Sequence, residues 1–383
     1  MSGPVVGLKR LFRVVNGGTP TSAPENWGGD VQWATPVDLG AANGRELGST
    51  LRTLTDRGLQ SGSAAVPAGS LIVSSRAPIG YVAQTAGVVA FNQGCKGLVP
   101  ERELDVRYFR YVLESRTDAL AAHGQGSTFM ELSSAGLGDF RVPIPPADEQ
   151  RAIADYLDTE TARIDALIAK KQLMVQRLDE RISAMVGEHV GRSMIADGRE
   201  PAREIRKLLR KVTAPASEGE IVTAYRDGQV TARSLRRAEG YTESGGDNVG
   251  YQRVRTGDVV VHGLDGFAGA IGSSEADGIC SPVYHVMEPT DGGDSDFYGR
   301  LLRELAVTNY IGLFATSTRE RAVDLRNWDL FGRIPIPKVP VEDQREIGRR
   351  IRTLRPLKMA VAKSEALAAE HRHALITAVV TGS

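Results

Sequence analysis

The sequence predicts an α+β chain built as a tandem of two mixed α/β domains, each followed by a long helix. Three observations predict it. The first is a proline-rich entry, Ile144-Pro145-Pro146-Ala147-Asp148-Glu149-Gln150, opening a stretch that has no proline through residue 190 and one late glycine, Gly187. Apolar residues recur there at Ile153, Leu157, Ile164, Leu167, Leu178 and Met185, with Ile168, Val175 and Ile182 beside them. That spacing marks one sticky seam on a long helix. Pro145 and Pro146 stay outside it, Asp148 is expected as the N-cap, and Glu149 suits the positive first turn. Such a helix is roughly 60 Å long.

The second observation is that this entry occurs twice. Pro146, the acidic pair, Gln150, Arg151 and Ile153 return as Pro340, Glu342, Asp343, Gln344, Arg345 and Ile347. A helical pattern follows through Ile351, Leu354, Leu357, Val361, Leu367, Leu375 and Val379, in which Pro356 predicts a kink or two segments. The third is an echo of strands. Val66 to Ser74 reads as a turn and a buried strand, and Val254 to Val261 repeats it 188 residues later. The divisions that follow are 1–139 and 203–333 for the domains, 140–190 and 334–383 for the helix regions.

In order along the chain, Leu8 to Phe12 is a short amphipathic lead-in, echoed by Ile205 to Leu209. Asn16-Gly17-Gly18-Thr19-Pro20-Thr21 is a turn-rich loop, and Trp27 to Ala34 follows it. Val88 to Phe91 and Gly97 to Pro100 read as a strand pair, echoed by Gly278 to Pro282 and Val286 to Pro289. A helix is expected over 106–122 and another over 295–313, each ending in a polar loop: Gly124 to Phe129 and Ala315 to Arg319.

Composition narrows the function. Charge is balanced, with 47 basic and 47 acidic residues, which does not favour indiscriminate nucleic-acid binding. Only nine of the basic residues are lysine; arginine suits bidentate reading of guanine and phosphate, although a GC-rich genome gives the same bias. No apolar run reaches the roughly 18 residues that cross a bilayer, and the N-terminus lacks a secretory core, so a soluble intracellular protein is expected. Cys95 and Cys280 lie in different halves without ligand spacing and are expected to be reduced and inert. Catalytic signatures are missing: no Asn/Asp-Pro-Pro-aromatic loop, no Asp/Glu-x-Lys, no P-loop, no G-x-G-x-x-G and no G-x-S-x-G. His371 and His373 point to different helix faces, and His262 with Asp265 is a weak pair. No metal site and no catalytic residue is expected.

The proline-rich entry leading into Ile153 to Asp165 resembles the helix region of specificity subunits of type I restriction-modification systems. Gly17 to Pro20, Trp27 to Trp33, Ser74 to Gly80 and Gln125 to Phe129 resemble the loops of their first target-recognition domain, and Ala374 to Gly382 is similar to their C-terminus. The second domain matches that pattern only at the Gly257 strand and the closing proline run, and the second helix lacks the Thr-x-x-Ile-Asp segment of the first. The resemblance implies two target-recognition domains whose long helices pair as an antiparallel coiled-coil spacer. It implies a bipartite, asymmetric double-stranded DNA site with one half read per domain. A reader separation of roughly 50–60 Å would exceed one DNA turn and leave an unread spacer.

The partners it implies are methyltransferase subunits, two copies, and motor-nuclease subunits that restrict DNA. No cofactor is then bound by this chain; S-adenosylmethionine and ATP with magnesium belong to the partners, and the assembly is cytoplasmic. The DNA-contacting set expected from polar loop chemistry is Ser75, Arg76, Gln125, Ser127 and Thr128 in the first domain, and Arg226, Arg233, Thr316 and Arg319 in the second. Two other readings stay open: a helical scaffold that holds proteins rather than DNA, and an enzyme with an unrecognised site.

Overall fold

The computed structural model describes residues 3–76, 78–125, 130–194, 202–236, 250–314 and 324–382. Packing divides the chain into two compact units, Met1–Ile168 with Ser364–Ser383, and Ala169–Lys363. Among the described residues, no helix is long and apolar enough to cross a membrane.

In the first unit the chain enters along β1 (Val5–Gly7) and leaves along β11 (Arg141–Pro143), which pair antiparallel. Between them stands a five-stranded sheet in the order β2 (Phe12–Asn16), β10 (Cys95–Pro100), β7 (Leu71–Ser74), β8 (Val82–Thr85), β4 (Arg45–Leu47). Every residue of β7 is buried, which is why its sequence is a continuous apolar run rather than an alternation. A second sheet has the order β5 (Arg52–Leu54), β3 (Trp27–Ala34), β9 (Val89–Phe91), β6 (Ala64–Val66).

The second unit repeats this skeleton where its sequence scarcely does. Entry β12 (Ala202–Glu204) pairs with exit β21 (Pro335–Pro337). The main sheet runs β13 (Leu209–Lys211), β20 (Tyr284–Pro289), β17 (Val259–His262), β18 (Ile271–Ser273). Strand β16 (Gln252–Val254) pairs antiparallel with β19 (Gly278–Cys280) as β6 does with β9, and Ile221 bridges Ile279 in parallel as β3 does β9. Gly69 and Gly257 occupy the same turn at φ of 75° and 91°, a left-handed conformation that an L side chain adopts only under strain.

The expected strand pair at 88–100 is corrected by this topology. β9 and β10 lie in different sheets, because the turn at Asn92-Gln93-Gly94 passes the chain across rather than back. The single helix over 106–122 is two, Val106–Glu114 and Thr117–Ala122, broken at Arg116, whose φ of −120° is non-helical. The helix from Ser295 ends at Val307; Asn309 follows at φ 63°, and a 3-10 turn, Ile311–Phe314, replaces the remainder.

The first long helix spans Ala147–Met194 and the second Val341–Thr381. Asp148 is not the cap expected of it but lies inside the first turn. Pro356 does not divide the second helix, which runs through it. The proline removes one backbone hydrogen bond, and burial of Ile347 and Leu354 just before it offsets that loss.

In the first unit Ala154 and Leu157 share a core with Ile376 and Val380 and with Tyr108, Phe109 and Val112 of the shorter helix. In the second, Ile182 and Val186 share one with Ile347, Leu354, Phe297 and Leu301. There Asp179 meets Lys358 at 2.7 Å and His189 approaches Asp343 at 4.0 Å, so the two long helices run antiparallel. The seam differs from the sequence expectation in detail. Leu167, Leu178 and Leu367 are exposed, while Thr161 and half-buried Asp179 stand in it.

Candidate nucleic-acid interface

Antiparallel pairing brings the ends of β2 and β7 to the start of β10, so the loops they feed gather at one end of the main sheet. Backbone hydrogen bonds tie them. The Ser75 N–H donates to Gly94 O at 2.8 Å, and the Ser75 carbonyl accepts from Leu132 N–H at 2.9 Å. Gly18 N–H donates to Phe91 O at 2.9 Å, and the Thr19 hydroxyl bonds the Gln93 side chain. Gly17 and Gly18 are required by this closeness: a Cβ on either would lie about 2 Å from a backbone oxygen, 2.1 Å from Asn92 O and 2.2 Å from Gly62 O.

Gln125 and Glu131 exchange backbone bonds of 3.0 Å in both directions, which closes the loop between them. Arg76 bridges the other side of Glu131, its guanidinium 3.0 Å from the carboxylate. Two of the expected residues, Arg76 and Gln125, thus flank one acid that the sequence reading missed. Lys96 lies beneath, nearly buried, donating to Asn16 Oδ1 at 2.9 Å and standing 3.9 Å from Glu131; Ser134 donates to the same Asn16 oxygen. Ser75 is fully buried, so its side chain sits under the surface that its backbone organises. Ser127 and Thr128 lie outside the described residues.

A second polar feature stands on β3 and β5. Trp27 and Trp33 pack edge-to-face at 4.9 Å, and the Arg52 guanidinium lies 3.4 Å over the Trp27 ring. Both indole N–H groups are anchored, Trp27 on Thr21 O and Trp33 on Gly18 O.

The second unit makes the same tie with different side chains. Gly263 N–H donates to Val283 O at 3.0 Å, and its carbonyl accepts from Leu325 N–H at 2.8 Å. Leu325 therefore stands for Leu132, and Asp324 before it for Glu131. Asp324 pairs with Arg326 at 2.6 Å, and hydrogen bonds from that guanidinium hold its carboxyl down to about 2. An acid–arginine pair thus occurs at the gathered loop ends of both units; the acid-leucine pairs Glu131-Leu132 and Asp324-Leu325 were its only trace in sequence. Arg226 reaches this loop, pairing with Asp265 at 2.8 Å. Arg233 lies in the short turn Arg233–Leu235, its Nε 3.3 Å from Thr223 Oγ1. Thr316 and Arg319 lie outside the described residues.

His262 and Asp265 are not arranged for catalysis. The His262 Nδ1 accepts backbone bonds from Leu264 and Asp265, a turn-forming role, and burial lowers the ring's basicity. Cys95 and Cys280 are free and buried, and burial pushes both thiols up to about 12.

Two similar units, each with loops gathered at one sheet end and each packed on segments of the long helices, define a tandem α+β class of protein. Residues 4–177 match the family described as type I restriction modification DNA specificity domain. The MjaIX specificity subunit of Methanocaldococcus jannaschii is 32% identical over 177 residues, 45% of this chain and 40% of that protein. The EcoR124I/EcoR124II specificity subunit of Escherichia coli is 28% identical over 160 residues, 39% of each. The matches thus span about two fifths of the length of these curated relatives.

Solved structures extend the likeness of fold to both halves. A type I S subunit from M. genitalium aligns with 99% of this chain and 96% of its own at TM-score 0.54 and 14% identity. A chain from a structure of type I R-M complex assembly and conformational transition covers 99% of both at TM-score 0.62, also at 14% identity.

Proposed function

We propose that this chain is the sequence-reading subunit of a type I restriction-modification assembly. It reads a bipartite, asymmetric site in double-stranded DNA, one half per unit. It holds two methyltransferase subunits and the motor-nuclease subunits, and contributes no catalytic group. S-adenosylmethionine and ATP with magnesium then serve those partners, in the cytoplasm. The observation that carries this reading is the repeated tie at Ser75 and Gly263, which aims equivalent loops from each unit and gives each an acid–arginine pair. Arginine reads guanine edges and carboxylate reads cytosine amino groups, so such a pair suits a base step. Of the proposed set, Arg76 and Gln125 in the first unit and Arg226 in the second are exposed, Arg233 of the second is half-buried, and Ser75 of the first is buried; Ser127, Thr128, Thr316 and Arg319 belong to the set and lie outside the described residues.

The test is co-expression with the partner subunits and mapping of methylated adenines. A split site with two unlike halves is the expected result. Methylation that persists unchanged when this chain is deleted would overturn the reading.

A further inference from the structure

Each unit seats its main recognition-domain helix, Val106–Glu114 or Ser295–Val307, against segments of the two long helices through ion pairs at two places. Asp105 and Asp294 cap these two helices, which fixes their correspondence: Arg107 stands where Asp296 does, two residues after the cap. Gln150 and Gln344 fix that of the long helices, so Asp158 stands where Arg352 does, eight residues after the glutamine.

The polarity is inverted between units at both places. In the first, Arg107 reaches Asp155 at 2.8 Å and Asp158 at 2.9 Å. In the second, Asp296 takes Arg352 at 2.6 Å and Arg355 at 2.5 Å. Further along, Glu114 of the first unit pairs with Arg372 of the second long helix. In the second unit the pair further along runs the other way and stands three residues nearer the cap, Arg300 pairing with Asp179 of the first long helix at 3.0 Å. The sign on the recognition domain is positive then negative in the first unit, and negative then positive in the second.

Several of these groups are well covered. The side chains of Glu114 and Arg372 are 8% and 15% exposed, Arg300 and Asp296 each 10%. A covered charge that meets its own sign is left uncompensated, which costs far more than a loose surface pair is worth. Matching therefore adds little beyond the apolar packing, and mismatching removes much; discrimination arises from the repulsive alternative.

We propose that the inverted pairs form an address: they fix which recognition domain occupies which seat on the long helices. The second domain in the first seat would set Asp296 against Asp155 and Asp158, and Arg303, which takes the place of Glu114 by the same count from the cap, beside Arg372. The apolar seats do not discriminate in this way, since both are lined by leucine, isoleucine and aromatic side chains. Given the DNA-reading function proposed above, on which this consequence rests, the order of the two half-sites is fixed by the same charges.

The experiment is read by amide hydrogen exchange on the full chain, so it stands apart from DNA binding. A second copy of residues 203–333 replaces residues 3–139. It is compared with the same chimera carrying Asp158→Arg, Thr161→Arg and Arg372→Asp, which rewrite the first seat in the polarity of the second. The recoded chimera is expected to protect the transplanted helix about tenfold more strongly. Equal protection in the two would overturn the proposal. Where neither chimera folds, the native chain decides alone. Glu114→Arg is expected to speed exchange in Val106–Glu114, and adding Arg372→Glu to restore most of the protection. A double variant no better protected than the single one overturns the address.

Discussion

The side-chain oxygen of Gln150 accepts the backbone N–H of Asp105 at 3.2 Å while its amide nitrogen donates to Pro145 O at 2.8 Å. Gln344 repeats both bonds, with Asp294 at 3.1 Å and Val339 O at 2.8 Å. One glutamine thus ties the entry of each long helix to the cap of the helix seated on it. This explains why the residue recurs in a sentence otherwise made of prolines and acids.

Replacing either glutamine by alanine leaves a half-buried N–H and a buried carbonyl without this partner. Each variant should destabilise its own unit by about 1–3 kcal/mol in denaturant unfolding. Gln344→Ala is expected to cost more, because its amide also faces Asp291 and the Tyr298 hydroxyl. A loss under about 0.5 kcal/mol for both would mean that water takes over the bonds.

A pH dependence follows from His285. The ring is buried and stacked on Phe331; burial brings it down to about 4, against the opposing bond to Leu325 O at 2.7 Å. Since that bond needs a donor, Nε2 carries the proton. The unfolded chain binds a proton near pH 6.5 and the folded one only near 4, so stability is lost as pH falls between those values. The loss is up to about 3 kcal/mol, confined to the second unit. Thermal unfolding of His285→Gln across pH 4–7 should lack that slope; an unchanged slope would assign it to another group.

At the loop ends, Arg76→Ala should weaken binding to the cognate site by about 1–3 kcal/mol if the guanidinium reads a base. Loss shared equally by all DNA sequences would make it a phosphate contact. Arg326→Ala is expected to act on the other half-site alone. Competition titrations with DNA altered in one half at a time separate these outcomes.

The tandem plan, the two long helices and the buried strands were legible because each rests on periodicity or on a repeated phrase. What was not legible depended on partners distant in sequence. Asp179 sits in the helix seam because Arg300 and Lys358 come to it, whereas Leu167 fits the spacing and faces out. Asn309 ends a helix by turning left-handed, which no apolar pattern announces. Val88 to Phe91 and Gly97 to Pro100 read as a strand pair, yet the strands they belong to lie in two sheets. Glu131 and Asp324 acquire meaning only through the bridges that set arginines beside them. Ser75, chosen for its hydroxyl, acts through its backbone.

The last prediction concerns exchange of a whole recognition domain. Residues 203–333 begin within β12 and end just before β21, and Ile205 N–H donates to Ile334 O at 3.0 Å, so the two splice points lie side by side. Such an exit beside the entry allows replacement without redirecting the flanking chain. The replaced segment carries its own loops but depends on Asp179, Ile347 and Arg352 outside it for its seat. A reader from a related specificity subunit should therefore fold here when it brings an acid at the place of Asp296 and a base at the place of Arg300. With that match, one half of the methylated site should change and the other persist, together with assembly of the methyltransferase. Mapping methylated adenines in cells that carry the chimera measures both halves at once. Joint change of the two half-sites would show that the readers are energetically coupled, and that specificity is not held within each domain's loops.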